Sequence, residues 1–162
     1  MLGRLRDWIA TSNRTLVGAE VDFEIHVGRA VLRGRVDRLE RDEQGRLVAV
    51  DLKTGTGRPR KADIPGHPQL GAYQAAVEGG GFSEHGTRSG GAELVYLKGS
   101  TSVLPQTALA DTDDQSWAEH LIGRVADGMA AATFVATENK HCRMCAVATS
   151  CPLVARGRQV TG

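Results

Sequence analysis

No apolar stretch in this chain approaches the ~20 residues that a membrane-spanning helix needs. Residues 1–10 (MLGRLRDWIA) also lack the long apolar centre of a secretory leader. There is no excess of either charge: 20 Lys and Arg against 19 Asp and Glu leave +1. No overall basic field therefore points to a nucleic-acid partner, although a local cluster can serve instead. Cysteine is scarce, and its three residues all lie between 142 and 151. An odd, clustered set excludes a secreted disulfide framework and points to metal or cluster binding in a reducing compartment. The expected address is the cytoplasm. A G-x-S-x-G elbow is absent, as is a Cys–His pair outside the cysteine tail, so a Ser or Cys nucleophile is unsupported. Thr54-Gly-Thr-Gly satisfies neither GxxxxGK[ST] nor GxGxxG, which excludes an ATP site there.

What is present is an ordinary globular composition, 41% hydrophobic and 24% charged, in a length that suits one domain with a real core. Leu2, Leu5, Trp8 and Ile9 fall at helical spacing. Alternation predicts strands over 16–27, 29–40 and 46–53, followed by a Gly/Pro/basic loop, Gly55–Pro68. A helix is expected over Gln69–Glu78, a flexible loop over 79–91 and a fourth strand over 92–98. Asp113 or Asp114 would cap a long helix reaching about Ala132. Trp117, Leu121, Met129 and Phe134 read as helix and core packing. A meander followed by a βα crossover predicts an α/β fold, a mixed central β-sheet flanked by helices.

The third strand ends in VDLKTG (50–55). In residues 31–53, Glu43-Gln44-Gly45 fits a three-residue hairpin loop, with Gly45 supplying positive φ. Centred on Gln44, the hairpin sets Asp42 against Arg46 and Asp37 against Asp51. Strand alternation then puts Asp37, Asp51 and Lys53 on one face. Facing carboxylates repel, and a divalent cation between them reverses the sign of that interaction. Mg²⁺ suits such a site because it takes one or two carboxylates and fills its other positions with water and phosphate. The competing reading is a pair of strand-edge acids neutralised by Arg35, Arg38 or Lys53.

GRVDRLE (34–40), VDLKTG (50–55) and then Gln69-x-x-x-Tyr73 together resemble the RecB-like branch of the PD-(D/E)XK nuclease superfamily. AELVYLK (92–98) resembles the strand that follows the Gln/Tyr helix in that branch. Residues 138–160 look like the iron–sulfur tail of AddB- and AdnB-type helicase–nucleases, which process double-strand breaks. The resemblance implies a restriction-endonuclease-like core over 14–137, a remnant of the N-terminal helix over 1–13 and a cysteine-rich tail over 138–162. It implies that Asp37, Asp51 and the carbonyl of Leu52 hold Mg²⁺ or Mn²⁺, with Lys53 the catalytic lysine and Gln69 and Tyr73 on a helix face beside the site. It further implies DNA as substrate, single-stranded ends above all, products with 5′-phosphates, and an upstream or partner helicase. An inactive DNA- or helicase-binding module of the same fold is the alternative.

Cys142-x2-Cys145-x5-Cys151-Pro152 supplies three thiolates of the kind that hold iron–sulfur clusters or zinc. In the resembled proteins three such cysteines join a fourth from upstream around a structural [4Fe–4S] cluster. No fourth cysteine occurs here, so zinc is the alternative, with His141 as its fourth ligand. The resembled proteins also carry a metal-binding His on a helix before the strands. Its absence, with that of the fourth cysteine, suggests a C-terminal piece of a longer protein. His26 lies on a predicted strand and does not replace it. Glu20 and Glu24 read as a solvated strand face. Arg58, Arg60 and Lys61 are candidates for holding DNA phosphates. His67, His85 and His120 have no partner at motif spacing.

Overall fold

The computed structural model describes residues 1–131 and 135–154, so Phe134 and the end of the sequence lie outside the described residues. Chain contacts divide the protein into two units, residues 1–126 and 127–162. The first holds a short helix, α1 (Leu2–Ala10), then strands β1 (Thr15–Val27), β2 (Ala30–Arg41) and β3 (Leu47–Lys53). Helix α2 (Pro68–Glu78), β4 (Ser89–Tyr96) and β5 (Ser102–Gln106) follow, and then the start of α3 (Trp117–Ala130). The five strands form one sheet in sequence order. All neighbours are antiparallel except β3 and β4, which run parallel. A parallel pair needs a crossover, and α2 supplies it. The mixed sheet with helices is the architecture expected from the sequence.

The tight hairpin between β2 and β3 sets the register of the sheet's centre. Asp42 donates its amide to the Arg46 carbonyl at 2.9 Å. The Asp42 carboxylate accepts the amides of Gln44 (3.0 Å) and Arg46 (2.8 Å) and pairs with the Arg46 side chain. Gly45 takes φ +76, a conformation that costs glycine nothing. The resulting register is Arg41 with Leu47, Glu40 with Val48, Leu39 with Ala49 and Arg38 with Val50, as a hairpin centred on Gln44 requires.

Both faces of β3 and β4 are covered, which is why their sequences read as continuous apolar runs. Leu47, Ala49, Leu94 and Tyr96 face Leu70, Tyr73, Ala76 and Val77 of α2 in the main core. Val48, Val50, Val95 and Leu97 form a smaller cluster with Trp8 of α1. Each fully buried leucine of the main core contributes roughly 1.5–3 kcal/mol.

Four charged side chains close the Trp8 side. Arg14 reaches Glu40 at 2.8 Å and also pairs with Glu93, while Arg38 pairs with the other oxygen of Glu40. The Arg38 guanidinium lies 5.9 Å from the centre of the Trp8 ring. The set is neutral overall, two cations and two carboxylates, and that balance is what permits the burial.

Three expectations need correction. Strand β5 was not foreseen; Pro105 within it suits an edge strand, which needs fewer amide donors. Strand β4 begins at Ser89, so Gly90 and Gly91, expected in a flexible loop, are part of the sheet. Helix α3 starts at Trp117, after the expected Asp caps; Trp117 and Ile122 pack on the main core, but Met129 is 74% exposed and not core. In the second unit, two short 3-10 turns, Cys142–Met144 and Ala148–Ser150, carry the cysteine segment. No helix among the described residues is long and apolar enough to cross a membrane.

The buried charge set yields a stability prediction. Arg14→Met takes the cation from Glu93 and leaves Glu40 with Arg38 alone, so urea unfolding of this variant should show a loss of about 3 kcal/mol.

Candidate active site

Three elements meet at the carboxyl end of β3. Asp37 and Asp51 each lie one residue past the last regular β2–β3 pair, Arg38 with Val50. There a side chain takes over from the backbone ladder: the Asp37 carboxylate accepts the amide of Leu52 at 2.6 Å. Asp51 and Lys53 follow Leu47 and Ala49 in the alternation of β3 and therefore face α2. Asp51 is nearly buried, at 4% exposure.

Helix α2 grips this pair through its first turns. Gln69 Nε2 donates to Asp51 Oδ1 at 2.6 Å, and Gln69 Oε1 accepts from Lys53 Nζ at 3.0 Å. Tyr73 lies one turn on and donates its hydroxyl to the same Oδ1 at 3.1 Å, while its oxygen sits 2.9 Å from Gln69 Nε2. The other oxygen, Asp51 Oδ2, lies 2.7 Å from Lys53 Nζ but in no hydrogen-bonding geometry with any described group. Five of the expected site residues, Asp37, Asp51, Lys53, Gln69 and Tyr73, are thus brought together, with Leu52 joined through its amide.

The electrostatics follow from burial. Desolvation first, and then the negative charge of Asp51, push the Tyr73 phenol up to about 12 from 10.0, with Asp37 adding to the effect. Tyr73 is therefore a neutral donor that holds a carboxylate oxygen in place. Its ring meets that of Phe23 edge-on, with centroids 6.2 Å apart. His67 stands at the start of α2 with Nδ1 buried and unpaired. Burial, and then the charge of Lys53, lower its pKa. Sequence spacing gave no sign that His67 belongs to this neighbourhood.

A divalent cation suits this donor set. Asp51 presents a buried oxygen that lacks a hydrogen bond, and the Asp37 carboxylate lies against the next peptide. Among the described residues no group of three or more His, Cys, Asp and Glu side chains converges on a metal position. The side-chain donors on hand are two carboxylates, which suit Mg²⁺ or Mn²⁺ when water completes the sphere.

Other candidates have different roles. Glu24 pairs with Arg33 at 2.5 Å, and Glu20 lies 3.7 Å from Arg35, both on the exposed side of the β1–β2 hairpin. His26 is 3.8 Å from Glu24 there. Arg58 lies over the Tyr96 ring at 5.1 Å and bonds the carbonyls of Lys98 and Ser100, so it clasps two loops. Arg60 pairs with Asp63 at 2.8 Å, and Lys61 is exposed. In the second unit Cys142, Cys145 and Cys151 are free thiols that line one cavity of about 120 Å³ with Glu138, Leu153 and Val154. Cys142 Sγ accepts the Asn139 amide at 3.2 Å. Neither the three thiols by themselves nor the thiols with His141 form a metal-holding group among the described residues, so the structure does not support the expected iron–sulfur or zinc site.

Sequence reasoning missed two buried amides, Gln74 and Gln106. The available signal was a polar residue inside the otherwise apolar run AYQAAV.

The raised phenol gives a titration with a definite sign. Tyr73 loses its proton more readily in the unfolded chain than in the folded one. Its stabilising contribution is thus complete below pH 10.0 and lost as pH rises toward about 12. Chemical unfolding across that window should show wild type losing stability more steeply than Tyr73→Phe. Parallel slopes would contradict the assignment.

Residues 1–152 match the PD-(D/E)XK nuclease superfamily. A solved crystal structure, that of SSO0001, superposes with a TM-score of 0.52 at 23% identity, covering 94% of this chain and 66% of that one. At that identity the likeness speaks for the fold alone, and this chain spans just under two thirds of its length. No curated protein matches significantly. With most of its length accounted for by the family pattern, the chain belongs to the PD-(D/E)XK nuclease superfamily.

Proposed function

We propose that this protein is a metal-dependent deoxyribonuclease that hydrolyses phosphodiester bonds at the Asp37–Asp51–Lys53 site. The observation that carries the reading is the convergence of these three side chains with Gln69 at one end of β3. A protein needing only a solvated strand edge has no use for a nearly buried carboxylate held by a neutral phenol and an amide.

In this reading Asp37, Asp51 Oδ2 and the Leu52 carbonyl hold Mg²⁺ or Mn²⁺. Such an ion supplies Lewis-acid polarisation of the phosphate and offsets charge at the leaving oxygen. The chain's own groups do the rest. Gln69 and Tyr73 occupy Asp51 Oδ1, so that the carboxylate cannot rotate and Oδ2 is the oxygen left to serve. Lys53, held between Asp51 and Gln69, places an ammonium where it orients the attacking water or stabilises charge growing on the phosphoryl oxygens. Lys53 is one-third exposed and Asp51 hardly at all, so the lysine is the partner that reaches toward substrate. Lys61 is the basic side chain of the following loop best placed to meet phosphate, because Arg58 and Arg60 are engaged.

The finer placement is in a RecB-family helicase–nuclease that acts on DNA ends at double-strand breaks, beside a helicase region or subunit. It is supported by the order of GRVDRLE, VDLKTG and Gln69/Tyr73 ahead of the cysteine tail. A ligand role for that tail rests on the spacing of its three cysteines alone, with iron–sulfur or zinc distinguished by metal analysis. A second reading, a DNA-holding module of the same fold without turnover, is favoured by one observation. Asp51 Oδ1 is already taken by two donors, which leaves few oxygens for a metal.

Cleavage of labelled single-stranded DNA with Mg²⁺ or Mn²⁺ separates the two readings. A nuclease should lose about 10²–10³-fold in kcat on Lys53→Ala with its fold retained by circular dichroism. Cleavage undiminished by the substitution would remove Lys53 from the mechanism, and DNA binding without cleavage by wild type would favour the second reading.

A further inference from the structure

We propose that Gln106, on β5, is a positioning residue for the active site: it fixes the start of α2 and through it the grip of Gln69 on Lys53 and Asp51. The consequence for catalysis rests on the nuclease reading above; the mechanical claim does not.

The start of α2 has little local support. Its N-cap residue, His67, makes no side-chain capping bond, and the next residue is Pro68, which has no amide proton. Backbone bonds from the His67 amide to Ile64 O and from the Gly71 amide to His67 O, each 3.0 Å, are joined by a side chain from outside. Gln106 Nε2 donates to the carbonyls of Ile64 at 2.7 Å and Pro65 at 3.2 Å, with His67 O at 3.4 Å. These are residues of the segment that leads into the helix. Gln106 Oε1 in turn accepts from Gln74 Nε2 at 2.9 Å, on the residue of α2 that follows Tyr73. One side chain on the edge strand therefore ties both the entry and the body of α2.

The amide is itself immobilised. Gln74 is fully buried, and all its polar capacity is used. It donates to Gln106 and to Thr107 O, and it accepts from Ser89 Oγ and the Leu109 amide. Gly91 lets β5 come this close: at φ +111, a Cβ there would lie 2.5 Å from the Gln106 carbonyl oxygen. A buried network in which every member is satisfied is rigid. This one ends on the turn whose next side chain, Gln69, bonds the two reactive groups. A purely structural role would be met by apolar packing at position 106; it would not require an amide aimed at the carbonyls before Pro68.

The test uses the full chain and compares Gln106→Met with Ser89→Ala, which removes a bond from the far end of the same network. Hydrogen exchange over residues 64–71 should rise at least about tenfold in Gln106→Met and stay near wild type in Ser89→Ala, while β3 keeps its protection in both. Steady-state cleavage should show kcat down about 10–100-fold for Gln106→Met, with KM for DNA within about twofold. Unchanged exchange in Gln106→Met, or equal changes of exchange and kcat in both variants, would overturn the proposal. Should wild type cleave no DNA, the nuclease reading fails and the exchange comparison alone decides the positioning claim. If the methionine variant does not fold, Gln106→Glu, which keeps the acceptor for Gln74 and loses the donors, takes its place with the same criteria.

Discussion

The pairing of β2 with β3 decides where every reactive side chain stands. Side chains on a strand alternate, so a slip of one residue would send Asp37 to the face opposite Asp51. The hairpin forbids that slip. Asp42 spends its carboxylate on the amides and guanidinium across the turn, and Gly45 takes the backbone conformation that a larger residue resists. Only past Arg38 and Val50 does the ladder give way, and there Asp37 itself supplies the missing bond to Leu52. The acid is thus held by the structure it interrupts.

A second constraint comes from the parallel pairing of β3 with β4. It forces the chain into a crossover, and the crossover helix lays its first turns over the end of β3. Gln69 and Tyr73, four residues apart, then address one carboxylate oxygen together. The polarity of the site follows: a neutral phenol and an amide hold one side of Asp51, an ammonium faces the other, and the rest is apolar core. Charges elsewhere in the fold are arranged on the opposite plan. Arg14, Arg38, Glu40 and Glu93 cancel one another beneath α1, whereas at the site the ammonium of Lys53 pairs with Asp51.

Much of this is legible in the amino-acid sequence. The hairpin centre, the β2–β3 register and the common face of Asp51 and Lys53 follow from Gly45 and a period of two. The Gln69–Tyr73 pairing follows from helical spacing. What escaped was set by tertiary context. Gly90 and Gly91 read as loop because glycine punctuates most loops, but here it admits a neighbouring strand. Strand β5, with proline inside it, carries little strand signal of its own and exists because β4 offers an edge. Met129 matched a helical apolar stripe that the structure leaves exposed. Gln74 and Gln106 are distant in sequence, and their bond to each other has no local signature.

The proposed hydrolysis requires Asp37, Asp51 and the Leu52 carbonyl to accept one divalent ion at the end of β3. Calorimetric titration with Mn²⁺ of wild type, Asp37→Asn and Asp51→Asn tests that claim without reference to turnover. One site in wild type, lost or strongly weakened in each variant, is the predicted result. Equal Mn²⁺ binding by all three proteins would contradict it.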